Sequence, residues 1–314
     1  MPCRVCLSAS AGKTISVREM MYGLGEPFDY VLCDDCGSLQ IERIPDDLSR
    51  FYSDDYYSMV PYGEGTTGKL KSFLLAHRDR AALGVFSPIG TVMSILRPAA
   101  PELAAIGGVR RPRAMRLIDI GCGRAAHFLK RLAKAGLTDL TGIDPFIDDE
   151  VIDHGQFRIF RMTLEQVQGP FDVVTLHHSF EHLPDPRAAM KEIARILAPG
   201  GTCLVRIPTP SSLAFSRYQE HWCQIDAPRH LNLPSRDGMS VLAQSVGMAV
   251  ERVIDDSTEF QFWGSDLYRR GIPLRSEQVE AELRKFDMAE LQKRAATANK
   301  RGEGDQAAFV LRWT

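Results

Sequence analysis

Leu117-Ile-Asp-Ile-Gly-Cys-Gly123 decides how the rest of the chain is read. Its first four residues are a short apolar run with one carboxylate, Asp119, and read as a buried strand. Gly121 and Gly123 let the chain turn sharply and bring bare backbone close to a ligand. Arg124 to Ala135 follows with helical spacing, Phe128, Leu129 and Leu132 falling on one face. Strand, glycine turn and helix together open a nucleotide-binding α/β unit.

Outward from this unit the pattern repeats. Leu140–Asp144, Phe157–Phe160, Phe171–His177, Thr202–Ile207 and Met248–Ile254 read as further strands. Arg187–Leu197 and Ser235–Val246 read as helices, with Ser235 as an N-cap. The alternation predicts a doubly wound, mostly parallel sheet covered on both faces. Glu277–Arg301 reads as one long amphipathic helical stretch. Gln306–Trp313 is a last apolar strand, expected antiparallel beside Met248–Ile254 and bringing the sheet to seven strands.

The amino-terminal segment is of another kind. Cys3-x-x-Cys6 and Cys33-x-x-Cys36 are matched pairs separated by a 26-residue loop. Each pair can set two thiolates on a tight turn, and two such turns complete a closed tetrahedral S4 site for structural zinc. A thioredoxin-like reading would need a single CxxC in a βαβ context. A segment this small has little core of its own, so metal binding would supply much of its folding free energy. The expected division is a zinc-binding module at 1–60, a helical linker at 61–112 and the main domain at 113–314. The tyrosine-rich run Phe51–Tyr62 either packs the module on the main domain or lines a substrate cleft. A glycine-rich linker follows to Gly68, Lys69–Gly84 reads as a helix, and Pro98–Arg113 reads as an irregular connector.

The chain has 314 residues, 44% hydrophobic and 25% charged, which is the composition of folded globular domains rather than of disordered chains. A net charge of -2 offers no general attraction to polyanions, so a nucleic-acid partner is not expected. The most apolar region, Ala81–Ile106, is interrupted by glycine, proline and charge and does not suit a membrane span. Met1-Pro-Cys-Arg-Val-Cys6 lacks the basic-then-apolar pattern of a leader. Seven cysteines then point to metal or free thiols, and to the cytoplasm.

Gly121-Cys-Gly123-Arg-Ala-Ala126 satisfies the permissive dinucleotide fingerprint, and Asp144 stands at a suitable distance for a ribose hydroxyl. The glycines alone leave NAD open. Asp119, two residues before the first glycine, would face a pyrophosphate with like charge in a poorly solvated crevice. A ligand carrying an ammonium and a sulfonium would instead be attracted.

At this point the chain resembles the class I S-adenosylmethionine-dependent methyltransferases, with their Rossmann-like sheet. Asp119-Ile-Gly-Cys-Gly123, Asp144, Phe171-Asp-Val-Val174, His178-Ser-Phe-Glu-His-Leu-Pro-Asp-Pro186 and Leu197-Ala-Pro-Gly-Gly201 carry the resemblance, which covers Arg113 to the end. Ala125 departs from it, standing where many members have a third glycine. More loosely, the paired cysteines, the tyrosine-rich run and the domain order are similar to methyltransferases of nucleotide-linked sugars and surface polysaccharides. The resemblance implies that Gly121, Cys122 and Gly123 cradle the methionine part of the cofactor through their backbone, with Asp119 beside its ammonium. It further implies Asp144 on the ribose, Pro145 and Phe146 flanking the adenine, Thr163 and Leu164 at its edge, and His177 completing the set. Asp144 as a helix N-cap is the structural alternative.

Methyl transfer requires alignment of acceptor, methyl and sulfur, and for a hydroxyl or acidic C–H acceptor a base. His182 and Glu181, after the fourth strand, and His230, in Trp222-Cys-Gln-Ile-Asp-Ala-Pro-Arg-His230, are the catalytic candidates. Glu181 as a helix cap and His182 as a turn anchor are their structural alternatives. Arg229 is read either as a partner for a substrate phosphate or carboxylate, or as a brace paired with Asp226. The side chains of Cys122, Cys203 and Cys223 are read as packing. Two other functions stay open at this level, a dinucleotide-dependent oxidoreductase and a non-catalytic cofactor-binding scaffold. The expected partner is a small, sugar-like acceptor.

Overall fold

Strands β1 (Lys13–Arg18), β2 (Pro27–Leu32) and β3 (Leu39–Ile41) form an antiparallel meander in the computed structural model, which describes residues 2–10, 12–52, 68–107 and 115–314. The tyrosine-rich run beyond Tyr52, most of the glycine-rich linker and the end of the Pro98–Arg113 connector lie outside the described residues. Alternation in β1 puts Ile15 and Val17 on a buried face and their neighbours outside. Three short strands cannot bury enough apolar surface alone. Their core is completed by residues from far along the chain, among them Phe215, Trp222, Leu231, Leu233, Phe262 and Leu291. Asn232–Leu233 also pairs antiparallel with β3 as a fourth strand, making the order β1-β2-β3-β10 in chain numbering.

Helices α1 (Lys69–Ala82), α2 (Pro88–Leu96) and α3 (Pro101–Ile106) come next. The connector expected to be irregular contains α3, because Pro101 at its first turn and Glu102 behind it favour a helix start. The main sheet then takes β4 (Leu117–Ile120), β5 (Leu140–Ile143), β6 (Val151–Asp153), β7 (Arg158–Phe160), β8 (Phe171–His177), β9 (Leu197–Pro208), β11 (Met248–Asp255) and β12 (Gln306–Trp313). Its helices are α4 (His127–Lys134), α5 (Pro186–Ile196), α6 (Leu213–Tyr218), α7 (Arg236–Gln244), α8 (Phe260–Arg269), α9 (Val279–Leu283) and α10 (Met288–Arg301).

The strand order is β11-β12-β9-β8-β4-β5-β7-β6. β4 pairs parallel with β5 and β8, and β5 parallel with β7. This is the doubly wound, mostly parallel α/β sheet expected, with eight strands rather than seven. The addition is β6, a three-residue strand antiparallel to β7 whose mostly exposed residues carry no period-two signal. β12 lies between β11 and β9, in keeping with its six consecutive buried residues. The stretch Glu277–Arg301 is two helices, because Asp287 caps a fresh start by accepting from the Glu290 amide at 3.0 Å.

The chain forms two compact units. One joins Met1–Phe51, Phe180–Met190 and Arg206–Phe309, and the other joins Tyr52–Ser179, Lys191–Val205 and Val310–Thr314. Neither is a continuous segment, whereas the sequence division at 60 and 112 follows the chain.

Ser235 performs the expected cap on α7, accepting from the Gly238 amide at 2.8 Å, and its hydroxyl also donates to the Cys36 carbonyl. Ser235→Ala therefore removes a cap and a tie to the second cysteine turn. It is expected to cost roughly 1–2 kcal/mol, and an unchanged urea midpoint would contradict this.

Candidate active site

The chain runs from β4 through β5 to β7 on one side and then crosses back to β8 on the other, so the carboxyl end of β4 is a topological switch point. The glycine turn sits there. Gly121 adopts φ +68°, and a Cβ on it would stand 2.5 Å from the Cβ of Ser179. Ser179 is held in turn, its hydroxyl donating to the Ile120 carbonyl at 2.7 Å. Gly123, at φ +62°, donates its amide to Asp144 Oδ2 at 3.0 Å. Phe146 donates its amide to Asp144 Oδ1 at 2.9 Å. Asp144 thus holds the glycine loop and the turn after β5 together, and no helix begins on it.

Asp119 is 2% exposed and accepts from the Thr175 hydroxyl at 2.7 Å. A Cβ added at Gly142 would stand 2.7 Å from the Cys122 sulfur, so that thiol packs against β5, as read from the sequence. Pro145 is exposed and the Phe146 ring is 76% exposed, an unusual state for so large an apolar group. Thr163 is exposed and its amide is held by Gln166 Oε1 at 2.8 Å, while the Leu164 side chain belongs to the core. His177 lies against Phe128, ring centroids 4.1 Å apart.

A second group is buried in the other unit around Arg229, which is 0% exposed. Its guanidinium donates from Nε to Asp226 Oδ2 at 3.0 Å and from Nη2 to Asp226 Oδ1 at 2.6 Å. It also donates to Glu19 Oε1 and to the Phe51 carbonyl, both at 2.9 Å. The bracing reading of Arg229 is the one realised, and the guanidinium is sealed from any substrate phosphate. Beside it, His230 Nδ1 donates to the Gln224 carbonyl at 2.8 Å and His182 Nδ1 to the Arg229 carbonyl at 2.9 Å. Carbonyls only accept, so each Nδ1 carries a proton. The two rings meet edge to face at 4.9 Å. His230 Nε2 stands 4.0 Å from Glu181 Oε1 and 3.9 Å from Asp226 Oδ2. Burial first, then the charge of His230, holds His182 below the ordinary histidine value. Glu181 is fully buried in the turn Phe180–His182, its carboxyl turned to His230 and its carbonyl accepting from the Leu231 amide at 2.8 Å.

Glu19 and Tyr30 have no counterpart among the sequence candidates. Glu19 accepts from the amides of Met21, Tyr22 and Leu24 as well as from Arg229, and the Tyr30 hydroxyl donates to the His230 carbonyl. Tyr30 read only as a strand residue, and nothing around Glu19 formed a motif.

The four amino-terminal cysteines do converge. Cys3 and Cys36 sulfurs are 3.7 Å apart, Cys6 and Cys33 sulfurs 3.6 Å, and all four lie within 4.8 Å of one another. Those separations are far beyond a disulfide at about 2.05 Å. They match the roughly 3.8 Å edge of a thiolate tetrahedron around an ion with bonds of about 2.3 Å. The two turns are also alike in backbone. Leu7 and Gly37, each just after a CxxC pair, have φ +64° and +67° and return their amides to Cys3 and Cys33 carbonyls at 2.9 and 2.8 Å.

A sequence profile for a methyltransferase domain matches residues 94–253, half of the chain. The chain belongs to the methyltransferase-domain family. It is 28% identical over 139 residues to a ubiquinone biosynthesis O-methyltransferase of Pseudomonas aeruginosa (strain UCBPP-PA14), covering 40% of this chain and 56% of that protein. It is 29% identical over 116 residues to a 27-O-demethylrifamycin SV methyltransferase of Amycolatopsis mediterranei (strain S699), covering 31% and 42%. The chain spans about half the length of the curated relatives it matches. Among solved structures, an S-adenosylmethionine dependent methyltransferase from Mesorhizobium loti is similar, with TM-score 0.44, 15% identity and coverage of 68% of this chain and 98% of that one. Membership of this family favours the S-adenosylmethionine reading over the oxidoreductase one.

Burial pushes the Asp119 carboxyl of the methyltransferase up to about 7; the Thr175 hydroxyl opposes this and the charge of Asp144 adds to it. Its folded value lies above the unfolded one of about 3.9, so ionising it costs the ligand-free protein stability progressively from about pH 4 to about pH 7. A cation against Asp119 favours the charged form and reverses that cost. The thermal shift produced by S-adenosylhomocysteine, whose ammonium remains, is therefore expected to grow as pH rises from about 5.5 to about 7 and then level. Asp119→Asn should weaken binding and flatten the profile; an equal pH dependence in both proteins would contradict the assignment.

Proposed function

We propose that this methyltransferase transfers the methyl group of S-adenosylmethionine to a small, sugar-like acceptor, a nucleotide-linked sugar or polysaccharide precursor, and that Glu181, His182 and His230 handle the acceptor's proton. The observation that carries the proton-handling role is the buried pair of imidazoles whose Nδ1 protons are fixed on backbone carbonyls, with His230 Nε2 turned to Glu181. An imidazole with a fixed tautomer and a carboxyl beside it is suited to accept a proton. In sequence, only Phe180 separates Glu181 from Ser179, which packs on the glycine turn. The sugar class is supported by the paired-cysteine segment that precedes the methyltransferase domain.

In this reading the Gly121–Cys122–Gly123 backbone cradles the methionine part and Asp119 takes its ammonium. Asp144 accepts from the ribose, its remaining lone pairs being available beyond the two amides it already receives. Phe146 and Pro145 cover the adenine, with Thr163, Leu164 and His177 completing the pocket. The exposed Phe146 ring suits stacking on a base. Since the transfer is an in-line displacement, these residues act mainly by alignment.

Cys3, Cys6, Cys33 and Cys36 hold a zinc ion in this reading. Four thiolates close its coordination, so its contribution is structural, fixing the two turns and the sheet β1-β2-β3. No helix among the described residues is long and apolar enough to cross a membrane. Seven cysteines free of disulfides support a reducing compartment, and we place the protein in the cytoplasm. The charge of -2 supports a small molecule over nucleic acid as acceptor.

A second reading, methylation of a hydroxyl on a quinone- or polyketide-like molecule, is favoured by the names of the curated relatives. Radiolabelled S-adenosylmethionine offered with a panel of sugar nucleotides and a panel of phenols and quinols separates the two. Label is expected in a sugar, and transfer to the phenols alone would replace the first reading by the second. With the acceptor so found, His230→Gln is expected to lower kcat by about 100-fold or more without changing S-adenosylhomocysteine affinity. An unaltered kcat would remove His230 from the chemistry.

A further inference from the structure

Glu181, His182 and His230 each present a ligand atom, and the three atoms lie within 4.8 Å of one another in a buried site. Both imidazoles are arranged as metal ligands are. Each gives its Nδ1 proton to a backbone carbonyl, of Gln224 or Arg229, which fixes ring orientation and aims the Nε2 lone pair away from that carbonyl. His230 Nε2 makes no hydrogen bond and its side chain is only 4% exposed, so neither protein nor bulk water satisfies it there. Its nearest charged neighbours are Glu181 and Asp226 carboxyl oxygens at 4.0 and 3.9 Å, which are acceptors too when ionised. The three ligand atoms thus lie within the span that a shared cation bridges. In charge, Glu19 and Asp226 pair with the Arg229 guanidinium, while Glu181 faces His230.

We infer that Glu181, His182 and His230 form a second metal site, for a divalent first-row ion of the zinc class. Two imidazoles and a carboxylate are the donor set of open zinc sites, three protein ligands with the fourth position free. Bonds of about 2.0–2.1 Å would bring tetrahedral ligand atoms to roughly 3.4 Å apart. The 4.0 Å between His230 Nε2 and Glu181 Oε1 closes to this with a small contraction. An ion here lowers the pKa of a hydroxyl bound at its fourth position, replacing the imidazoles as the source of proton handling, since their Nε2 lone pairs are then engaged as ligands. That last role rests on the proton-handling assignment above; the ion's presence does not.

Untagged full-length protein, saturated with zinc and freed of excess by gel filtration, tests the site by metal content. Two zinc ions per chain are expected, falling to one in His230→Ala and in Glu181→Gln; one per chain in the unaltered protein, unchanged by either substitution, overturns the inference. Cobalt(II) loading of the unaltered protein gives a readout that needs no variant. A thiolate site shows sulfur-to-cobalt charge transfer, and the second site is expected to add visible d–d absorption without it. A titration that ends with the thiolate signal alone overturns the inference as well. One zinc per chain in the unaltered protein, with turnover lost in His230→Gln, would leave the base reading intact and remove only the ion. Two ions in the unaltered protein, falling to one in His230→Gln with full turnover kept, would do the reverse.

Discussion

A guanidinium with no access to water is the constraint on which one half of this molecule depends. Taking Arg229 out of water costs several kcal/mol, and only complete pairing returns it. Asp226 grips it with both oxygens, Glu19 takes a third hydrogen bond and the Phe51 carbonyl a fourth. Glu19 is itself held by three backbone amides just after β1. The consequence runs outward in both directions along the chain. Asp226 is pinned in a left-handed backbone conformation at φ +41°, and the residues after Arg229 leave the site as His230, Leu231 and the strand that extends the amino-terminal sheet. One buried charge therefore sets the placement of His230 and the edge of β3.

Two carboxylates at the carboxyl ends of β4 and β5 show how environment divides the labour between like groups. Asp144 receives two backbone amides. Asp119, one strand away, receives a single hydroxyl and is buried, so it holds its proton near neutrality until a positive charge arrives. The first holds the glycine loop to the turn after β5; the second responds to the charge placed beside it.

Legibility followed the range of the interaction. The parallel strands could be read because strands buried on both faces are nearly continuous apolar runs, and the glycine turn because φ near +65° leaves few other residues possible. The cysteine site was readable from spacing alone. β6 was not, since three half-exposed residues carry no period, and the break before α10 was hidden by the charged pattern running through it. Asp226 and Arg229 were seen as a pair, but sequence does not report burial, and burial is what removed Arg229 from the list of substrate ligands. Glu19 was out of reach altogether. Its partner is Arg229, on the far side of the cofactor-binding segment, and no local spacing encodes such a contact.

The same long-range closure has a bearing on how the protein is made. The four thiols are made long before Phe215, Trp222 and Leu233, which the core under their sheet needs, and β3 stays an open edge until Asn232 arrives. At about 5–20 residues per second, that leaves ~10–40 s during which the first fifty residues have partners only in prospect. Over that interval the approach of the four sulfurs has no support from the core that later closes beneath their sheet.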